Sequence, residues 1–163
     1  MEQNELLLRT AFACMSCDGD IAAEEVNLIK QMSKEKQLFG EIDIDKELDD
    51  LVKEINLRSK DFLKHYLISL SDESLTEGQQ LKVADVAVQT IRADNRIDYS
   101  EIKFFKVLRS NLKSISDETL LEKIDGIDET YLAQDIQADY LQMYDDYFNT
   151  IELPKFELLK DLS

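Results

Sequence analysis

Glycine and proline are scarce, at 4 and 1 of 163 residues, a combined share of about 3% where about 12% is usual. Sandwiches and barrels need such residues at many corners, and phosphate-cradling loops and dinucleotide folds need closely spaced glycines. Those architectures are excluded, whereas an all-helical chain needs few of either. Long apolar runs are missing too, since none approaches the roughly 18 residues of a membrane span. The start, Met1-Glu2-Gln3-Asn4-Glu5, lacks the basic lead of a signal peptide. The expectation is a cytoplasmic protein without membrane insertion.

Histidine occurs once, as His65, and cysteine twice, as Cys14 and Cys17. A di-iron carboxylate bundle requires two Glu-x-x-His motifs, but position 62 is Phe62 and there is no second histidine. Cys14-Met15-Ser16-Cys17 spells C-x-x-C. No βαβ pattern surrounds it for a redox fold, and zinc would lack partner ligands. Both cysteines read instead as small positions on a packed helix face. His65 has no nucleophile or oxyanion-hole pattern beside it, so the chain reads as non-enzymatic.

Basic charge is the last shortage. Against 35 Asp and Glu there are 19 Lys and Arg, a net charge of −16, which repels nucleic acid and anionic lipid. Cations and basic protein partners are the natural counterparts. From Ser116 to Ser163 there are 13 acidic and 3 basic residues, so the C-terminal third carries most of the excess. Tyr140, Tyr144, Tyr147 and Phe148 share that stretch, which would either cover the core or present a surface to a basic partner.

What the sequence does have is apolar residues at three- and four-residue spacing, the mark of amphipathic helices. Leu7, Leu8, Ala11, Phe12 and Met15 predict a first helix ending near Cys17. Val26, Ile29 and Met32 predict a second; Leu48, Leu51, Val52 and Ile55 predict a third, with Asp45 as its N-cap. Leu63, Tyr66, Leu67 and Leu70 follow Ser59 as a fourth. Ser74-Leu75-Thr76-Glu77 and Asp98-Tyr99-Ser100-Glu101 have capping-box spacing and open helices bearing Leu81, Ala84, Val88 and Ile91, then Ile102, Phe105 and Leu108. A short element starts near Ser116, and Leu132, Ile136, Tyr140, Met143 and Tyr147 form one stripe of a last helix. Ile151 to Ser163 reads as a tail or short docking segment. The predicted fold is all-α, a single bundle of about seven to eight helices.

The chain also matches itself at an offset of 76 residues. Asp18 falls on Asp94, Ile21 on Ile97 and Glu25 on Glu101, while Ala11, Met15, Ile29 and Met32 fall on Ala87, Ile91, Phe105 and Leu108. Residues 5–38 and 81–114 thus read as two pseudo-symmetric helical hairpins. In each D-x-x-I-x-x-x-E unit, Gly19 or Asn95 reverses the chain, the Ile anchors the turn in the core, and the Glu points back from the next helix. An EF-hand is excluded, because its first ligand positions would be Cys14 and Ser16, or Thr90 and Arg92. If the hairpins pack about a twofold axis, Asp18, Glu25, Asp94 and Glu101 converge, with Asp20, Glu24 and Asp98 nearby. The same carboxylates serve equally as helix caps without any metal.

The stretches from Ala13 to Glu25 and from Ala93 to Glu101 resemble the paired signatures of the TerB-like family, and the likeness covers roughly Glu5 to Lys123. That family includes tellurite-resistance proteins and the N-terminal regions of some membrane-anchored J-domain co-chaperones. The resemblance implies a helical domain over 1–124, with 125–163 as an acidic C-terminal helix and tail packed on or extending it. It also implies a divalent-cation site on Asp18, Glu25, Asp94 and Glu101, where oxygen ligands favour Ca2+ or Mg2+ over Zn2+. The expected function is a cytoplasmic module acting through protein partners in a stress response. The alternative is a metal-independent scaffold or co-chaperone-like adaptor.

Overall fold

The computed structural model describes residues 2–36, 38–72, 74–93, 95–132 and 140–159. Among them the fold is all-α: α1 (Gln3–Ser16), α2 (Ala23–Lys36), α3 (Ile44–Arg58), α4 (Lys60–Asp72), α5 (Glu77–Ile91), α6 (Tyr99–Ser110), α7 (Asp117–Lys123), a 3-10 turn (Glu129–Tyr131) and α8 (Tyr140–Thr150). No described helix is long and apolar enough to cross a membrane.

The bundle is organised around α1. Every side chain from Thr10 to Cys17 is buried, so this helix is covered on all sides rather than along one stripe. It packs most extensively on α5 and also touches α2, α3, α4 and α6. Both helices of that pair carry short, wholly buried side chains, Ala11, Ala13 and Cys14 on α1 and Ala84 and Ala87 on α5. The buried hydroxyls are satisfied locally. Thr10 donates to the Leu6 carbonyl at 2.8 Å and meets the Tyr66 hydroxyl at 2.6 Å, while Ser16 donates to the Phe12 carbonyl at 2.9 Å.

The helix starts refine the sequence expectations. The cap of α3 is Asp43, whose carboxylate accepts from the Lys46 N–H, whereas Asp45 lies inside the helix and pairs with Lys30 at 2.9 Å. The box that opens α5 is Thr76 with Gln79 rather than Ser74 with Glu77, because only that pair bonds reciprocally to the two backbone N–H groups. The Asp98–Glu101 box of α6 forms as expected. At the C-terminal end, Leu132 follows the 3-10 turn and is not part of α8; Ile136 lies outside the described residues.

Helix α8 covers the core with one face. Tyr147 and Phe148 are buried, and the Tyr147 ring sits 5.2 Å from that of Phe104 on α6. Its hydroxyl donates to the Cys17 carbonyl at 2.5 Å, giving the last turn of α1 a partner supplied from 130 residues away. The chain then leaves α8 and crosses back over the bundle. The Glu152 carbonyl lies so near Gly19 that a Cβ there would come within 2.7 Å of it. The segment ends on α3, where Leu159 is buried.

Candidate functional site

Two turns carry the carboxylates singled out by the repeat. The first follows α1: the Gly19 N–H donates to the Ser16 carbonyl at 3.0 Å with Gly19 at φ +83°, the Asp20 N–H donates to Asp18 Oδ1 at 3.0 Å, and the Ala22 N–H donates to Glu25 Oε1 at 3.0 Å. The second follows α5: the Asn95 N–H donates to the Arg92 carbonyl at 3.1 Å with Asn95 at φ +59°, and the Asp98 N–H donates to Glu101 Oε1 at 2.9 Å. Each of the turn-closing and glutamate-capping bonds recurs 76 residues on. A left-handed residue is needed at both corners, and asparagine tolerates that conformation better than most side chains.

Glu25 and Glu101 are each only 3% exposed. Burial, followed by the negative charges of Glu101 and Glu25, pushes the Cys14 thiol well above its ordinary range. Cys17 is raised by burial first, with Cys14, Glu101, Asp18 and Glu25 adding to it. Both glutamates therefore lie close to one pair of sulfurs at the C-terminal end of α1. Both thiols are free, buried and held neutral, which removes their reactivity as nucleophiles or ligands. Burial also pushes Asp18 up to about 6; the Asp20 N–H opposes the rise, and the Asp98 and Asp20 carboxylates reinforce it. The influence of Asp98 on Asp18 places the second turn beside the first.

Asp98 thus acts on Asp18, and Glu25 and Glu101 act on the same two cysteines, while Asp20 and Glu24 are exposed. Asp94 lies outside the described residues. One expectation fails: Ile97 does not anchor its turn but stands 47% exposed, while Ile21 is half-buried against the core. The second turn is held by its hydrogen bonds instead. Among the described residues, which leave out Asp94, no three Asp, Glu, His or Cys side chains are gathered to hold an ion. Each of Asp18, Glu25, Asp98 and Glu101 already accepts from a backbone N–H. The solitary His65 is exposed on α4.

A second feature was not legible in the sequence. A cleft of about 400 Å³ opens between α4, the end of α6 and the start of α8, lined by Leu67, Ile68, Ser71, Asn111, Tyr140 and Tyr144 among others. Asn111 braces it, donating to the Val107 carbonyl at 3.0 Å and the Tyr140 hydroxyl at 3.2 Å while accepting from the Ser71 hydroxyl. Ile68 and Leu141 are exposed by 55% and 64%. Burial raises the Tyr144 hydroxyl, followed by Tyr140 and by the charges of Asp145 and Asp61, so the tyrosine end of the cleft has acidic neighbours, while Lys113 also lines the cleft. Only the tyrosine-rich composition of residues 140–148 hinted at it. No protein-family model, curated protein or solved structure matches this chain.

Proposed function

We propose that this chain is a non-enzymatic helical module that works by binding a protein partner in the cleft between α4 and α8. The occupant that fits is a basic amphipathic helix. The observation that carries this reading is the coincidence of an apolar lining that includes the exposed Ile68, the exposed Leu141 next in sequence to the lining Tyr140, and the acidic neighbours Asp61 and Asp145. Apolar surface supplies affinity, and a net charge of −16 steers a basic segment toward it. A fluorescent Leu/Lys amphipathic peptide, titrated by anisotropy, tests this. Saturable binding that weakens with salt and is lost in Ile68→Asp/Leu141→Asp is expected. Binding left unchanged by that double variant would reduce the interaction to bulk charge and overturn the assignment.

The same proposal includes TerB-like architecture, with α1–α2 and α5–α6 as two copies of one hairpin and residues 1–124 as the domain that contains them. Supporting this are the recurrence of turn and cap bonds at an offset of 76, the positive φ at both Gly19 and Asn95, and the burial of Ala11 with Ala87, Met15 with Ile91 and Ile29 with Phe105. A stress-response role of the tellurite-resistance kind rests on the family resemblance alone.

A second reading, divalent-cation binding at the acidic corner, is favoured by one observation: like charges are held together there, with Asp98 raising Asp18. A cation would relieve that repulsion, with Asp94 completing the set of Asp18, Glu25 and Glu101. The described carboxylates already act as caps, which is why this reading ranks second. Calorimetry with Ca2+, Mg2+, Mn2+ and Zn2+ on the wild type and on Asp18→Asn/Glu101→Gln decides it, and absence of heat at millimolar metal would refute it.

A further inference from the structure

Helix α6 carries a cover that α2 lacks. On α6 the stripe Phe104, Val107, Leu108 and Asn111 is buried where α8 packs on it. The Phe104 ring lies 5.2 Å from that of Tyr147, and Asn111 donates to the Tyr140 hydroxyl at 3.2 Å. Seventy-six residues earlier, α2 presents Leu28, Gln31, Met32 and Glu35 at the same helical spacing. Among the described residues α2 packs chiefly on α1 and α5, and Gln31 and Glu35 stand exposed. The two stripes correspond if α1–α2 and α5–α6 are copies of one hairpin, and the inference rests on that reading.

A cleft of about 440 Å³ opens along this uncovered stripe, between α2, α5 and the chain after α7. Leu28 and Met32 form its apolar side. Its two helical walls present acceptors. Gln31 donates Nε2–H to Glu35 Oε2 at 3.2 Å, and on α5 Gln89 donates Nε2–H to Asp85 Oδ1 at 3.3 Å and to the Asp125 carbonyl at 2.8 Å. Each amide thus orients a carboxylate one turn away, and the glutamine Oε1 and second carboxylate oxygen accept from no described residue. Glu35, Asp85 and Asp125 pair with no described lysine or arginine, although Lys123 also lines the cleft. Arginine fits such a surface. Its guanidinium offers five N–H donors in a planar fork, and its aliphatic stem lies along apolar side chains such as Leu28 and Met32. Lysine brings a point charge without the fork.

We propose that the α2–α5 cleft is a docking groove for an arginine-bearing helix of a partner protein, seated on Leu28, Gln31, Met32 and Glu35 as α8 is seated on their counterparts. Charge complementarity selects the occupant: three carboxylates face one lysine in the groove, and a net charge of −16 repels a second copy of this chain. The α4–α8 cleft takes its occupant through exposed apolar side chains, whereas this groove does so through guanidinium–carboxylate pairs, so the two sites differ in the ligand they accept.

The test is an anisotropy titration of the full chain with a labelled, capped Ala/Arg peptide carrying arginine at every fourth position, helical by composition. Saturable binding is expected, retained in Ile68→Asp/Leu141→Asp and weakened at least about tenfold by Glu35→Gln/Asp85→Asn, the loss expected for charge-assisted bonds. Glu2→Gln/Glu157→Gln removes the same charge at exposed sites elsewhere and should change affinity by less than about threefold. Lys123→Gln should tighten binding, a gain that a misfolded variant cannot give. Equal losses from the two charge-removing pairs, or weaker binding in Lys123→Gln, would overturn the groove while leaving the two-hairpin reading untouched. Lysine in place of arginine in the peptide should weaken binding at least about fivefold, and equal affinity would overturn the arginine assignment. A peptide broken by a central proline should bind poorly. If it binds as well as the intact helix while the dependence on Glu35 and Asp85 holds, the helical occupant and the hairpin comparison behind it fail, and not the groove. Concentration-dependent dimers abolished by Glu35→Gln/Asp85→Asn would name a second copy of this chain and overturn the partner assignment.

Discussion

Replacing Asp18 by Asn should stabilise the protein, and the gain should depend on pH. Asp18 is half-buried at the end of α1, and its pKa rises from 3.8 to about 6 on folding. A carboxyl whose pKa is raised binds its proton more tightly in the folded chain. Stability therefore rises as pH falls from about 6 to 3.8, and the full cost of the ionised form is present above about 6. At about 1.36 kcal/mol per pKa unit the cost is at most about 3 kcal/mol. The side chain is still partly open to water, and screening lowers this to about 1–2 kcal/mol. Asn keeps an oxygen to accept the Asp20 N–H that Asp18 accepts at 3.0 Å, so only the charge is removed. Urea unfolding at about pH 7.5 should show Asp18→Asn more stable by about 1–2 kcal/mol, with the advantage falling to about half near pH 5. In thermal melts the neutral-pH gain corresponds to roughly 2–8 °C for a chain of this size. A destabilised variant, or an equal gain at both pH values, would refute the desolvation argument. Loss of the advantage in millimolar divalent metal would instead support the cation reading.

Gly19→Ala should cost more than Asn95→Ala. At Gly19 the change puts a new Cβ at positive φ, a penalty of about 1–2 kcal/mol, and that Cβ would lie 2.7 Å from the Glu152 carbonyl oxygen, whereas Asn95 already carries a Cβ at positive φ and loses only asparagine's tolerance of that conformation; parallel thermal melts decide the order. Tyr147→Phe removes the hydroxyl that reaches the Cys17 carbonyl at 2.5 Å and should cost about 1–3 kcal/mol in chemical denaturation. Arg109 donates to the Leu112 and Ile115 carbonyls at 2.7 Å each and pairs with Asp117 at 2.9 Å. Arg109→Ala should therefore destabilise by about 2 kcal/mol, whereas Asp117→Asn, which loses only the exposed ion pair, should change stability by less than about 1 kcal/mol.

Much of the helical layout follows from local rules. The stripe of Leu7, Ala11 and Met15 and the Asp98–Glu101 box each mark an element through contacts within one helix or one turn. Where local rules offered two nearby solutions, as at Ser74 against Thr76 or Asp45 against Asp43, the sequence pattern chose the wrong one. Either residue has the right chemistry, and the choice depends on where the preceding loop delivers the backbone. The acidic corner was partly legible. Gly19, Asn95, Glu25 and Glu101 perform the turn and cap roles expected of them, but the exposure of Ile97 was hidden, because burial of one side chain depends on what packs over it.

By itself the sequence determined an all-α chain, the positions of its helices to within a few residues and the acidic character of its surface. These properties are set by composition, by periodicity and by bonds between residues three or four apart. Only the tertiary structure decided that α1 is enclosed on all sides, that Tyr147 closes the end of α1, that a cleft opens beside Ile68, and that Asn56 and Asp49 grip residues 156–159. Each of these joins groups separated by roughly 100 residues or by several helices. Such pairings are chosen by how whole surfaces pack together, and no local spacing encodes them.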